Sequence, residues 1–267
     1  MKIDTNENPG FQFKRFALLG MSGLGKTFIS RNLFKRDNWS HYSVDYEIGK
    51  LLFKNKHKYL LTGFDIDNLT HLSNFLGKPG SSTLGGIPFS EYVSRQRLHR
   101  DAEIEATLKA CSLVEKSPEL SNFVCDTSGS ICELVNPTNK DDIVLKSLSK
   151  NFLIVCLEAP DYIYQVLIDR FLAKPKPMYY EENFLNSLWQ TFKSSSSNTD
   201  DNINPDDFMI FGFKALIERR KTIFDRISKN WGITLNFENL REVKTAADLI
   251  KAIQSKIESE IENQKCQ

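Results

Sequence analysis

No stretch of this chain is apolar for the length needed to cross a bilayer, and its first ten residues lack the apolar core of a secretory signal. Neither sign of charge prevails: 35 basic against 34 acidic side chains leave a formal charge of +1. Without a broad positive field there is no track for a long polyanion, which argues against nucleic acid as the partner. Cysteine is sparse and badly placed for metal. Cys111, Cys125, Cys132, Cys156 and Cys266 fit no zinc spacing and leave an odd thiol. Cys125 and Cys156 lie in apolar, strand-like runs and read as buried thiols, whereas Cys132 lies nearer the functional stretch and leaves a redox role open. His57, His71 and His99 also lack metal-ligand spacing, so surface or packing roles are expected for them. A reducing, cytoplasmic setting is the expectation.

What is present is one functional pattern, GMSGLGKT over residues 20–27. It follows the apolar run 16–19 and leads into the amphipathic FISRNLF over 28–34, the strand–turn–helix setting that a phosphate loop requires. A glycine-rich turn lets successive N–H groups curl around a phosphate, and the helix behind it directs its positive end at the same anion. Gly20, Ser22, Gly23, Leu24, Gly25, Lys26, Thr27 and Phe28 are thus candidates to hold ATP. Lys26 would reach the terminal phosphates as a point charge, and Thr27 would place its hydroxyl on Mg²⁺.

Strand patterns recur near 14–19, 41–44, 122–126, 151–157 and 233–236, with helical patterns between them. That alternation predicts an open parallel sheet with helices on both faces and ligands at the carboxyl ends of the strands. At 267 residues one α/β domain with insertions is the simplest organisation. The insertions fall at about 54–90 and 181–207. The first ends in GKPGSSTLGGIP over 77–88, a breaker-rich loop suited to a lid or to shaping a substrate site; the second includes a polar, low-hydrophobicity run at 194–206.

Two carboxylates compete for roles. Asp45, after the second strand pattern, is placed for an acceptor hydroxyl or a metal-bound water, or simply to cap the next helix. Asp126 ends an apolar strand as a Walker B aspartate does, and would hold Mg²⁺; the turn TSGS over 127–130 would expose hydroxyls and amides at the same edge. A long helix from about Phe89 carries Arg95, Arg97 and Arg100; Arg100 and Glu103 can pair along one face, or one arginine can grip a carboxylate.

In their order, these motifs resemble the shikimate kinase family of phosphate-loop kinases. Residues 20–27 resemble its phosphate loop. VDYEI over 44–48 resembles its second-strand motif, and HRDAE over 99–103 its Phe-Arg-x-x-Glu segment. FVCDTSGS over 123–130 stands where the family has a strand and three glycines. Asp169–Arg170 and KPKPM over 174–178 resemble its adenine-side arginine and lid, and ERRKTIF over 218–224 its Arg-x-x-x-Tyr segment. The resemblance implies a three-layer phosphate-loop NTPase sandwich around a five-stranded parallel sheet, with helical insertions. It implies an ATP- and Mg²⁺-dependent kinase for a small hydroxyl-bearing acceptor with a carboxylate or phosphate. Asp45 would orient the hydroxyl, Arg100 and Arg220 would clamp the anion, and Arg170 and Lys176 would attend the nucleotide. Departures are Ser43 in place of the first acidic residue of strand two, the TSGS turn in place of triple glycine, and Lys176 at the lid arginine. The competing function is a nucleotide-hydrolysing switch whose protein partner docks at 54–90, with Asp126 serving a water in place of an acceptor.

Overall fold

The structure is a computed structural model that describes residues 14–54, 70–196 and 202–265. Its backbone divides into two units by internal contacts: residues 1–44, 107–163 and 222–267 form one, and 45–106 with 164–221 form the other. Both expected insertions, at 54–90 and 181–207, fall in residues of the second unit.

The first unit is built on strands β1 (Arg15–Leu19), β2 (Ser40–Ser43), β3 (Phe123–Asp126), β4 (Leu153–Glu158) and β5 (Gly232–Asn236). All neighbours pair parallel, as the sequence predicts, and their order is β2-β3-β1-β4-β5. β1 lies at the centre and every residue of it is buried, which is why its sequence is a continuous apolar run rather than an alternation. Arg15 completes it by donating to the Leu120 and Pro118 carbonyls.

Successive side chains leave opposite faces of the sheet. Phe16, Leu18, Val124, Val155, Leu157, Ile233 and Leu235 form one buried cluster with Leu249, Ile253 and Ile257. Those last three belong to α10 (Ala246–Lys265), whose apolar residues recur at helical spacing. Trp39 closes the edge of this cluster, its ring stacked on Phe16 at 5.6 Å between centroids. The helix α5 (Ile143–Asn151) is started by Asp142, whose carboxylate accepts from the Val144 and Leu145 amides, and it buries Val144, Leu145 and Leu148.

Elements of the second unit include α2 (Val44–Lys54, from Asp45 onward), α3 (Thr70–Leu76), the first part of α4 (Phe89–Lys116) and α6 from Tyr164 (Asp161–Ala173). α7 (Glu182–Ser196) and α8 (Pro205–Trp231, up to Lys221) complete them; α1 (Lys26–Phe28) and α9 (Phe237–Arg241) belong to the first unit. The core of this unit is aromatic. Trp189 is stacked against Phe89 at 4.5 Å and meets Phe208 edge-on at 4.8 Å, geometries that aromatic pairs favour.

The breaker-rich loop at 77–88 is bonded internally. Gly80 and Ile87 amides donate to the Ile87 and Lys78 carbonyls, Gly86 donates to Ser81, and Ser81 donates to Ile203. Lys78 adds an ion pair to Asp206. Glycine and proline here build a closed, internally bonded turn. The part of the expected partner surface at 55–69, the run at 197–201 and Cys266 lie outside the described residues.

Candidate phosphate site and the buried polar seam

The segment after β1 carries out the turn that the glycines allow. Gly25 has φ +93°, a conformation that a side chain disfavours, and it leads directly into α1 (Lys26–Phe28). α1 widens into a π turn over Ile29–Phe34 and tightens into a 3₁₀ turn at Lys35–Asp37. The expected helix to about residue 35 is thus present but irregular, and π turns gather at functional sites. Ser22, Gly23, Thr27 and Phe28 are exposed, while Leu24 is buried. Lys26 is buried and folds back over its own loop, donating to the carbonyls of Gly20 at 2.7 Å and Met21 at 3.2 Å.

Asp126 closes β3 and is buried. It accepts a hydrogen bond from Ser30 Oγ at 3.2 Å, and His41 Nε2 lies 3.8 Å from the same oxygen, Oδ2. The register explains the meeting: β2 runs parallel to β3 with His41 beside Val124, two residues before Asp126 on the same face. Ser30 and His41 escape motif reading because neither belongs to a pattern; only the pairing of β2 with β3 and the turn of α1 bring them to the carboxylate.

The turn 127–130 differs from the expectation of exposed hydroxyls. Thr127, Ser128 and Gly129 are buried; Thr127 Oγ1 donates to the Leu18 carbonyl at 2.8 Å, and Ser128 and Ser130 hydroxyls lie 3.3 Å apart. Its contribution is close packing. A Cβ on Gly129 would lie 2.1 Å from Ser22 Oγ and 2.6 Å from the Ser22 amide nitrogen. The turn is therefore pressed against the backbone of the phosphate loop, and only glycine fits.

Asp45 opens the run of α2 two residues past the end of β2 and is half-buried. The two arginines of the expected clamp lie in different surroundings. Arg100 is exposed and pairs with its neighbour Asp101 at 3.7 Å. Glu103 is fully buried and sits 3.5 Å from His99 Nδ1. The helical period sets this, since positions 92, 96, 99 and 103 share a face that residue 100 leaves. Arg220 is buried and donates to the Tyr179 carbonyl at 2.7 Å. Arg170, in the last turn of α6, and Lys176 are both exposed.

His99 is a packing residue, stacked on Tyr179 at 4.9 Å. Burial, and then the Arg220 cation, pull its pKa from 6.5 to about 4. The folded chain thus holds neutral imidazole. Its contribution is complete above about pH 6.5 and is lost as pH falls toward 4, about 3 kcal/mol in all. Thermal melts at pH 7 and pH 4.5 should show that loss, and His99→Gln should flatten the difference. An unchanged acid slope in that variant would assign the sensitivity elsewhere.

Among the described residues, Cys111, Cys125, Cys132 and Cys156 are all buried, and none forms a disulfide. Burial pushes the Cys111 thiol up to about 12 and those of Cys125 and Cys156 upward as well, far from the reactive thiolate range. No cluster of three or more metal-ligating side chains occurs among the described residues, and no helix among them is long and apolar enough to cross a membrane.

No family model matches the chain, and no curated protein matches it in sequence. Among solved structures, shikimate kinase from Bacteroides thetaiotaomicron aligns over 94% of this chain and 97% of its own, with 15% identity and a TM-score of 0.41. That likeness is one of chain course, and the parallel sheet stands on its own strand pairing.

Proposed function

We propose that this protein is an ATP-dependent phosphotransferase acting on a hydroxyl group of a small, anionic acceptor. The observation that carries the reading is the loop at 20–27, which leaves Ser22, Gly23 and Thr27 open while Lys26 is held on carbonyls of that same loop. A lysine held this way exchanges weak neutral acceptors for phosphate oxygens without changing its backbone.

ATP and Mg²⁺ fit the donors present. The loop offers backbone N–H groups and an ammonium to phosphates, and Thr27 offers an exposed hydroxyl, a hard oxygen of the kind Mg²⁺ takes. Asp126, already bonded to Ser30, fits a role toward the cation through water. When bound, Mg²⁺ neutralises charge on the phosphates. Lys26 stabilises the charge that develops on the phosphoryl group in transfer, and Asp45 accepts the hydrogen bond of the acceptor hydroxyl and aims it. Positioning of this kind needs only a weak base.

Of the two arginines, Arg220 is buried and donates to the Tyr179 carbonyl. Arg100, exposed, is the remaining candidate for the anionic end of the acceptor. Asp45→Asn is expected to reduce transfer about a hundredfold or more while leaving Mg²⁺-ATP affinity within a few-fold, read by coupled assay and by calorimetry. Equal losses in both would move Asp45 to the metal.

The experiment that tests the function is ATP consumption against a pool of small hydroxyl-bearing acids, sugars and nucleosides, with mass detection of the product. A phosphorylated member of the pool is the expected result. Phosphate release without any such product would favour the hydrolysing switch.

A further inference from the structure

Asp126 is a buried carboxylate, 4% exposed, and two groups approach the same one of its oxygens. Ser30, fully buried, donates from Oγ to Oδ2 at 3.2 Å, and His41 Nε2 stands 3.8 Å from Oδ2. Neither addresses Oδ1. A carboxylate is costly to bury unless it is paired and hydrogen-bonded, and one neutral hydroxyl is a weak counterpart. His41 Nε2 is itself buried and has no hydrogen-bond partner, a rare condition for a buried polar atom and one that calls for a reason. With its proton on Nε2 the imidazole is a donor, and closing on Oδ2 by about 0.9 Å would give an ordinary hydrogen bond.

Ser30 also ties the carboxylate to the phosphate loop. Its hydroxyl lies 3.3 Å from the Thr27 carbonyl as well as 3.2 Å from Asp126 Oδ2. A hydroxyl has one proton, so Thr27 and Asp126 share it. Ser30 belongs to the π turn Ile29–Phe34, an irregularity of the kind that gathers at functional sites. Thr27, Ser30, His41 and Asp126 all lie in the first unit. Strand pairing fixes the last two: His41 is in register with Val124, and Ser43 with Asp126.

We propose that Ser30 and His41 are positioning residues for the divalent cation of a bound nucleotide. Holding Asp126 by Oδ2, they leave Oδ1 to accept from water on the cation, while Thr27 offers its hydroxyl to the cation itself. The inference rests on the nucleotide-binding reading above and adds to it two residues that no motif contains. A carboxylate that works through water suits Mg²⁺, which keeps several of its waters. Groups that orient a carboxylate in this way act on the cation without touching it, and their loss typically lowers affinity about ten- to a hundredfold.

The test uses the full-length chain and calorimetry with ATP as the probe, once in excess Mg²⁺ and once in EDTA. The ratio of the two affinities isolates what the cation contributes. Ser30→Ala should shrink that ratio about tenfold while leaving ATP affinity in EDTA within about twofold of the wild type. His41→Leu should shrink it several-fold, and His41→Gln, which returns an N–H donor near the Nε2 position, should recover most of the loss. On an Asp126→Ala background neither Ser30→Ala nor His41→Leu should shrink the ratio further, because both act through that carboxylate. Should Ser30→Ala not fold, the two His41 variants carry the comparison.

Equal losses in Mg²⁺ and in EDTA would make the two residues structural and overturn the inference, as would further losses on the Asp126→Ala background. No recovery in His41→Gln would also overturn it, since a donor's role predicts rescue. If the wild type binds ATP equally well with and without Mg²⁺ while Lys26→Ala abolishes binding, the inference fails and the nucleotide-binding reading stands. If the wild type binds no ATP under either condition, both fail.

Discussion

Lys26→Ala is expected to reduce ATP turnover on the order of 10²–10³-fold or to background, with the chain still folded. The ammonium now donates to the Gly20 and Met21 carbonyls, so truncation removes two hydrogen bonds inside the loop. Both acceptors belong to a segment whose Ser22 and Gly23 face solvent. The stability cost is therefore about 1–2 kcal/mol, small beside the stabilisation lost from a phosphoryl group in transfer. Circular dichroism and thermal melts should place the variant close to the parent, while a coupled ATP assay should show almost no rate. Unchanged phosphoryl transfer would remove Lys26 from the chemistry.

Gly129→Ala is the second large effect, and its cause is steric. The new methyl would stand 2.6 Å from the Ser22 nitrogen and 3.1 Å from Ser22 Cα. Rotating the Ser22 side chain relieves the 2.1 Å clash with Oγ but not the backbone ones, so the phosphate loop itself has to shift. Overpacking of this kind costs about 1–3 kcal/mol, and a displaced cradle should bind Mg²⁺-ATP about ten- to a hundredfold more weakly. Ser22→Ala separates the two contributions. Combined with Gly129→Ala it should restore little affinity; full restoration would show that the hydroxyl, and not the backbone, sets the contact.

The sheet was legible because each strand carries its own local signature. Continuous apolar runs such as 16–19 and 153–157 are what a strand buried on both faces requires, and the helices between them follow a 3.6-residue period. The phosphate loop was legible for a similar reason: its glycines, lysine and threonine are consecutive. Pairings between distant segments were not. Nothing within residues 99–103 says that His99 and Glu103 turn inward while Arg100 stays in solvent, because that depends on which face of α4 the core of its unit covers. Arg220 shows the same limit. The resemblance makes it a clamp, and no local pattern announces that it also donates to the Tyr179 carbonyl. Ser30 and His41 reach Asp126 only through the register of β2 on β3 and the π turn of α1.

The account depends most directly on whether the turn between β1 and α1 binds triphosphate. Calorimetric titration of the intact chain with ATP in the presence of Mg²⁺ measures this without knowledge of the acceptor. The prediction is saturable binding near one equivalent, strongly weakened in Lys26→Ala. Absence of binding by the wild-type chain, or equal affinity in the two proteins, would contradict it.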